Sequence, residues 1–334
     1  MTPPPLAHRV AVVAGATRGA GRGIARMLGE AGATVYCTGR SSRARPNTSS
    51  HIHAGRPETI EETAELVDAA GGTAIPVRVD HTVPVEVAAL FARIEREQKR
   101  FDVLVNILTG EPVKEWRSFW KLSADEGRAF FDSWLWPHVV TCRHAVPLMI
   151  KRKTGLIVEI IEQHGIDYHG QFYFDLMEMA LKRLVFALAF EMASKGIAAV
   201  AITPGFMRTE AILEKFGVSE ANWRDAAEHN REARQFGFSN SETPCFVGRG
   251  VVALAADPHV MRKSGGIFTS WSLAEEYGHD DVDGRRPNMW AYLQAHVPHA
   301  AAKPPLEFDW TLNRHHHGVN GEHGGRDQHG DRRG

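Results

Sequence analysis

Gly15, Gly19 and Gly21 fall in the run Val12-Val13-Ala14-Gly15-Ala16-Thr17-Arg18-Gly19-Ala20-Gly21-Arg22-Gly23-Ile24-Ala25, spaced Gly-x3-Gly-x-Gly. Glycine permits a tight turn and lets backbone N–H groups come close to a ligand. A helix N-terminus directly behind adds partial positive charge and unpaired donors, so the chemistry on offer is capture of an anion such as a pyrophosphate. Arg18 lies in the same turn, and Arg40 lies in Gly39-Arg40-Ser41-Ser42, a segment with no Asp or Glu. A guanidinium matches phosphate oxygens two at a time.

Such a turn needs a strand to lead in and a helix to follow. Arg9 to Val13 is a short β-branched run that reads as a buried strand, and Ile24, Met27, Leu28 and Ala31 recur at helical spacing. Thr34 to Thr38 closes a strand–helix–strand unit of the length of a dinucleotide site, with Gly15, Thr17, Arg18, Gly19, Ala20 and Gly21 in its first turn. In a doubly wound sheet the end of the second strand meets the adenosine ribose. There an acidic residue suits a 2′-hydroxyl and an arginine a 2′-phosphate. Arg40 therefore points to NADP(H) over NAD(H), the plain alternative being a solvated loop cation.

The alternation continues. Polar residues from Arg45 to Arg56 read as a surface loop, and Pro57 to Ala70 as an amphipathic helix closed by Gly71-Gly72. Strands are expected at Thr73 to Val79, Phe101 to Asn106, Gly155 to Ile161, Ala198 to Thr203 and Gly266 to Thr269. Helices are expected at Val83 to Lys99, in one long segment ending at Met149 to Lys153, at Phe174 to Ala193 and at Phe246 to Ala255. The expected fold is α/β: a single Rossmann-type, doubly wound parallel sheet of about seven strands with helices on both faces. One domain is expected over residues 7–312, with a helical substrate flap at 208–243. Residues 313–334, with His315-His316-His317 and little apolar content, read as a disordered, solvated tail, the alternative being a metal-binding histidine run. Trp116, Phe119, Trp120, Phe130, Phe131, Trp134 and Trp136 crowd one segment as core or subunit contact, or as an apolar wall for a substrate.

Composition removes several classes. Lys and Arg number 39 against 40 Asp and Glu, a net charge of −1, so no broad footprint for nucleic acid or an anionic membrane is expected. No apolar run reaches the roughly 18 residues that span a bilayer, and Met1-Thr2-Pro3-Pro4-Pro5 has no secretory pattern. Cys37, Cys142 and Cys245 are far apart with no Cys-x2-Cys pair, which points to a reduced, cytoplasmic protein without a cysteine metal site.

The glycine spacing resembles that of the short-chain dehydrogenase/reductase family, whose Thr-Gly-x3-Gly-x-Gly differs here by Ala14 in place of threonine. Leu273-Ala274-Glu275-Glu276-Tyr277-Gly278 and Asp281-Val282-Asp283-Gly284-Arg285 are similar to the C-terminal segment of the branch named after dehydrogenase/reductase member one. The resemblance spans roughly residues 8 to 295. It implies that Asp80, followed by His81, contacts the adenine, although Asp80 also suits a capping role. It further implies that Asn106 stands for the first residue of an Asn-Asn-Ala-Gly element, and that Pro204-Gly205 lies against the nicotinamide. A homodimer or homotetramer is implied as well.

The family's proton relay is a Tyr-x3-Lys pair plus a serine on the preceding strand end. The lysine binds the nicotinamide ribose and lowers the tyrosine pKa from about 10. Registered on Arg183-Leu184-Val185-Phe186-Ala187-Leu188-Ala189, this chain has Phe174 in the tyrosine place, Glu178 in the lysine place and Glu162 in the serine place. Trp134 lies near the position of a structural asparagine, and no shift of register restores Tyr-x3-Lys. Glu178 can still accept hydrogen bonds from ribose hydroxyls. Glu162, beside apolar neighbours, suits a general acid or base of raised pKa. Tyr173 is about 100° of helix from the usual direction and suits either a proton donor or the core. His164, Asp167, Tyr168 and His169 share the loop. The blander roles are a turn-capping Glu162 and solvated histidines.

Three functions follow. The first is an NADP-dependent oxidoreductase acting on a small, largely apolar carbonyl or alcohol with a non-classical proton donor. The second is a non-redox dehydratase, isomerase or cyclase using Glu162, with the dinucleotide structural. The third is a catalytically silent nucleotide-binding relative.

Overall fold

The computed structural model describes residues 3–46, 55–110, 117–162, 165, 168 and 171–296. Seven strands form one sheet: β1 (Val10–Ala14), β2 (Thr34–Gly39), β3 (Thr73–Arg78), β4 (Val103–Asn106), β5 (Gly155–Ile160), β6 (Ile197–Thr203) and β7 (Ile267–Thr269). Their order is β3-β2-β1-β4-β5-β6-β7, and every pairing is parallel. The connection reverses direction between β1 and β4, which opens a crevice at their C-terminal ends. The doubly wound parallel sheet expected from the alternation is the fold observed.

Helices α1 (Gly19–Glu30), α2 (Ile60–Ala69) and α3 (Pro84–Gln98) follow the first three strands. Between β4 and β5 lie α4 (Ala124–Trp134) and α5 (Trp136–Arg152), and α6 (Phe172–Met192) joins β5 to β6. Beyond β6 come α7 (Glu210–Lys215), α8 (Trp223–His229), α9 (Arg231–Gln235) and α10 (Pro244–Ala256). The described chain ends with α11 (Ser270–Tyr277) and α12 (Met289–His296). The long helix expected before β5 is broken at Leu135. Pro137 disfavours helical backbone just before it and removes a donor, so α5 starts afresh there.

β1 and β6 are buried along their whole length, as a sheet covered on both faces requires. On one face Ala11, Val13, Val35 and Val200 meet Ile24, Leu28, Val67 and Val251. On the other, Val12, Leu104 and Ile157 meet Val87, Ile94, Met149, Leu181 and Val185. α1 and α10 touch backbone to backbone: a Cβ on Gly23 would lie 2.2 Å from the Pro244 carbonyl, and one on Gly248 3.0 Å from the Gly23 oxygen. α7 to α9 gather a small core of their own around Trp223, Ala233 and Phe238. Trp223 is flanked by the guanidinium groups of Arg208, Arg224 and Arg285. The tail from residue 313, Trp116, His164, Asp167 and His169 lie outside the described residues.

Candidate functional site

The crevice at the β1/β4 switch holds a cavity of about 290 Å³. Gly15, Thr17, Arg18, Gly19 and Ala20 form one wall, and Arg40 and Ser41 line it at the end of β2. Asp80, His81 and Thr82 follow from the end of β3. Ile107, Leu108 and Thr109 follow β4, Ser133 and Pro137 come from the α4–α5 junction, and Glu162 follows β5. Met207 and Thr209 close it from beyond β6. β2 and β5 are three strands apart, so Arg40 and Glu162 follow strand ends spaced roughly 14 Å across the sheet.

The glycines are dictated by close approach. Gly15 has φ +97°, and a Cβ there would sit 2.0 Å from the Ile107 carbonyl oxygen. Gly21 does not line the cavity; a Cβ on it would lie 2.1 Å from the Gly15 oxygen, so it lets the turn close. Arg18 donates through Nε to Glu58 Oε2 at 3.2 Å and through Nη2 to the Glu58 carbonyl at 3.4 Å. Burial lowers the Arg18 pKa, and Glu58 opposes that shift. Glu58 also receives Arg56, which reaches on to Glu214. Arg40 has no ion-pair partner among the described residues.

Asp80 accepts the Thr82 N–H at 3.0 Å and the Thr82 hydroxyl at 2.7 Å, so it shapes its own turn while facing the cavity. His81 is buried between the hydroxyls of Thr38 and Thr141, both at 2.9 Å, and burial pushes its pKa down to about 3. Asn106 turns away from the cavity. Its amide donates to Glu159 Oε1 at 2.7 Å, while its Oδ1 is buried without a partner. Pro204 and Gly205 are not among the lining residues; the Gly205 N–H donates to Glu242 Oε2 at 2.9 Å. Glu242 also accepts the Ser270 hydroxyl, and burial lifts its pKa to about 8.

The two glutamates expected to carry chemistry meet through the Glu162 backbone. The Glu162 N–H donates to both Glu178 carboxylate oxygens at 3.2 Å, so Glu178 is buried beneath Glu162 and fixes its backbone. Desolvation on its protein side raises the Glu162 pKa, although the residue itself is exposed. One turn beyond Glu178, Lys182 is buried and donates to the Gly165 carbonyl; burial lowers its pKa and Glu178 partly restores it.

Tyr173 is corrected by the structure, which does not deliver it to the cavity. Its hydroxyl donates to the Ser123 carbonyl at 3.0 Å, and its ring packs among Phe130, Phe131 and Phe172. Phe174 instead meets Trp134 edge to face.

A buried polar cluster escaped the reading of the motifs. His138 Nδ1 lies 2.5 Å from Glu159 Oε2, and Nε2 lies 3.0 Å from the Leu108 carbonyl oxygen. The Leu108 oxygen can only accept, so Nε2 carries a proton, and the raised pKa of the ring favours a second proton on Nδ1 facing Glu159. Burial alone would lower the His138 pKa; the Glu159 carboxylate outweighs it and raises the pKa. The signal was present in the sequence: a lone carboxylate inside Leu156-Ile157-Val158-Glu159-Ile160-Ile161 demands a buried partner.

The residues present fit a dinucleotide. Residues of the glycine turn line the cavity at the N-terminus of α1, Arg40 lines it at the end of β2, and the cavity spans the switch point. Residues 9–216 match the family model described as short chain dehydrogenase. The chain is 34% identical over 290 residues to mouse (Mus musculus) "Dehydrogenase/reductase SDR family member 1", covering 84% of this chain and 85% of that one. The human (Homo sapiens) protein of the same name is 32% identical over 303 residues, with 89% and 90% covered. Among solved structures, a short chain dehydrogenase from Mycobacterium thermoresistibile superposes with a TM-score of 0.67 at 19% identity, covering 85% of this chain and 92% of that chain. A 7α-hydroxysteroid dehydrogenase complexed with NADH and 7-oxo glycochenodeoxycholic acid gives 0.61 at 21% identity, covering 79% and 93%.

Proposed function

Since the chain belongs to the short-chain dehydrogenase family, we propose that it is an NADP(H)-dependent oxidoreductase in which Glu162 exchanges the proton that a tyrosine exchanges elsewhere. The observation that carries this reading is Glu162 itself. It lines the cavity at the end of β5, its pKa is raised, and its backbone is held on the buried Glu178. When bound, the nicotinamide would supply a hydride to a carbonyl carbon or take one from the carbon of an alcohol. Glu162, protonated, gives its proton to the carbonyl oxygen; ionised, it takes one from an alcohol. Ile107, Leu108, Pro137 and Met207 line the cavity with apolar surface and favour a small, largely apolar carbonyl or alcohol.

The NADP preference is supported by Arg40, which lines the cavity at the end of β2 with no carboxylate in its own segment. Arg40→Ala is expected to weaken NADPH binding about ten- to a hundredfold, the range of a charged hydrogen-bond pair, with a much smaller loss for NADH. Calorimetric titration of both cofactors checks it, and equal losses overturn the phosphate assignment. Exposed Trp136 on α5, with Leu176 and Phe190 on α6, supports pairing of subunits through these helices. Three free, buried thiols suit a reducing, cytoplasmic setting.

Turnover of a carbonyl panel with NADPH, followed by loss of the reduced-nicotinamide absorbance, tests the activity. The absence of phenol and amine at 174 and 178 favours one further reading: acid–base chemistry on the substrate with the dinucleotide as a structural part. In that case product forms whatever the redox state of the cofactor, and Glu162→Gln abolishes it. Tight cofactor retention with no turnover of any kind marks a silent relative.

A further inference from the structure

α1 begins without its own cap. Arg18, at the N-cap, makes no side-chain cap hydrogen bond, and the first turn carries no acidic residue. The donor at that end is taken from far along the chain. The Gly19 N–H donates to Glu210 Oε2 at 2.9 Å, and the other oxygen, Oε1, lies 3.6 Å from Arg22 Nη1. Glu210 is the first residue of α7, immediately after Thr209, which lines the cavity and caps that helix by accepting the Ile212 N–H. One turn later Glu214 meets Arg56 Nη1 at 2.6 Å. α7 is thus laid over the glycine turn by two carboxylates, one of them seated on a helix N-terminal donor.

We infer that Glu210 sets the cofactor affinity of this chain, its carboxylate being an internal anion lodged on a donor that a bound diphosphate takes. The inference rests on the reading that the glycine turn holds the cofactor's diphosphate. Two anions cannot share one N–H at the positive end of a helix without repulsion. Entry of a diphosphate-bridged dinucleotide therefore expels Glu210 from Gly19 and weakens its hold on Arg22, leaving α7 held by Glu214–Arg56, by Lys215–Glu232 and by Ile212 and Leu213 against the Trp223 cluster. A ligand without the diphosphate leaves Glu210 where it is. Affinity is thereby spent on ligands of one chemical class, and α7 shifts as they enter.

The test is calorimetric titration of the full chain with NADPH, NADH and adenosine 2′-monophosphate, which has no diphosphate. Glu210→Gln keeps the size but removes the charge. It is expected to tighten NADPH and NADH together by about tenfold, the worth of a charged hydrogen bond, and to leave adenosine 2′-monophosphate unchanged. Glu210→Asp, too short to reach Gly19, is expected to tighten both dinucleotides in the same sense, so the result does not depend on one variant folding. Unchanged or weaker dinucleotide binding in both variants overturns the inference. So does equal tightening of adenosine 2′-monophosphate. The underlying reading fails separately, and takes the inference with it, if the wild-type chain binds neither dinucleotide.

Discussion

Glu162→Gln is expected to lower carbonyl reduction by about 10²- to 10⁴-fold while the Kd of NADPH stays where it is. Glutamine preserves size and polarity but has no proton to give at neutral pH. Among the described residues lining the cavity at the ends of β4 and β5, Glu162 is the one carboxyl; its neighbours are Ile107, Leu108, Thr109, Ser133 and Pro137. Phe174 has no hydroxyl, and Tyr173 has spent its own on Ser123. Desolvation raises the Glu162 pKa, keeping more of it protonated as pH rises than an ordinary glutamate would be. Reduction should therefore fade as pH climbs through that raised value, and alcohol oxidation should grow over the same interval. Single-turnover rates across pH check both limbs. A Gln variant with an intact rate would place the donor elsewhere, and parallel loss of NADPH binding would make Glu162 a structural group.

The second large effect is on stability. His138→Ala is expected to destabilise the chain by about 3 to 5 kcal/mol, because removing one partner leaves the other charge buried and uncompensated. The stranded group is Glu159, fully buried, with Asn106 and the Cys142 thiol as its remaining partners. The sign of the pH dependence follows from the imidazolium. Its folded pKa is raised above the ordinary 6.5, so its contribution is complete below 6.5 and is lost as pH rises through the raised value. His81 pulls the other way. It is buried neutral, with its pKa lowered to about 3, so its environment destabilises the fold as pH falls below 6.5. Thermal melts of wild type and His138→Ala at stepped pH separate the two: the gap between the proteins should narrow above pH 6.5 and hold steady below it. A gap of constant width would refute the buried ion pair.

The sheet and the cofactor turn were legible because their signals are local. Gly15 to Gly21 sit within a few residues of the strand and helix they join, and the apolar runs of β1, β4, β5 and β6 announce burial on both faces. The register that sets Phe174 and Glu178 against the Tyr-x3-Lys pair is read from the order of residues along α6 alone. What escaped depends on contacts between distant segments. Gly19 and Glu210 are 191 positions apart, and Arg18 and Glu58 are 40 apart, with nothing in their spacing to join them. Arg18 therefore read as a free phosphate ligand, whereas the fold partners it with a carboxylate. Tyr173 looked like a spare phenol because sequence alone leaves its direction open; the aromatic bed of Phe130, Phe131 and Phe172 decides it. The break at Leu135 was signalled by Pro137 and hidden by the strong helical pattern on either side.

The glycine contacts between α1 and α10 have a mechanical corollary. With Gly23 against Pro244 and Gly248 against Gly23, neither helix can slide or roll on the other without backbone striking backbone. The glycine turn is thus anchored to a rigid floor, and on the proposed reading any yielding on dinucleotide entry comes from the roof. That confines accommodation to one side of the crevice, where short α7 is tethered by side chains.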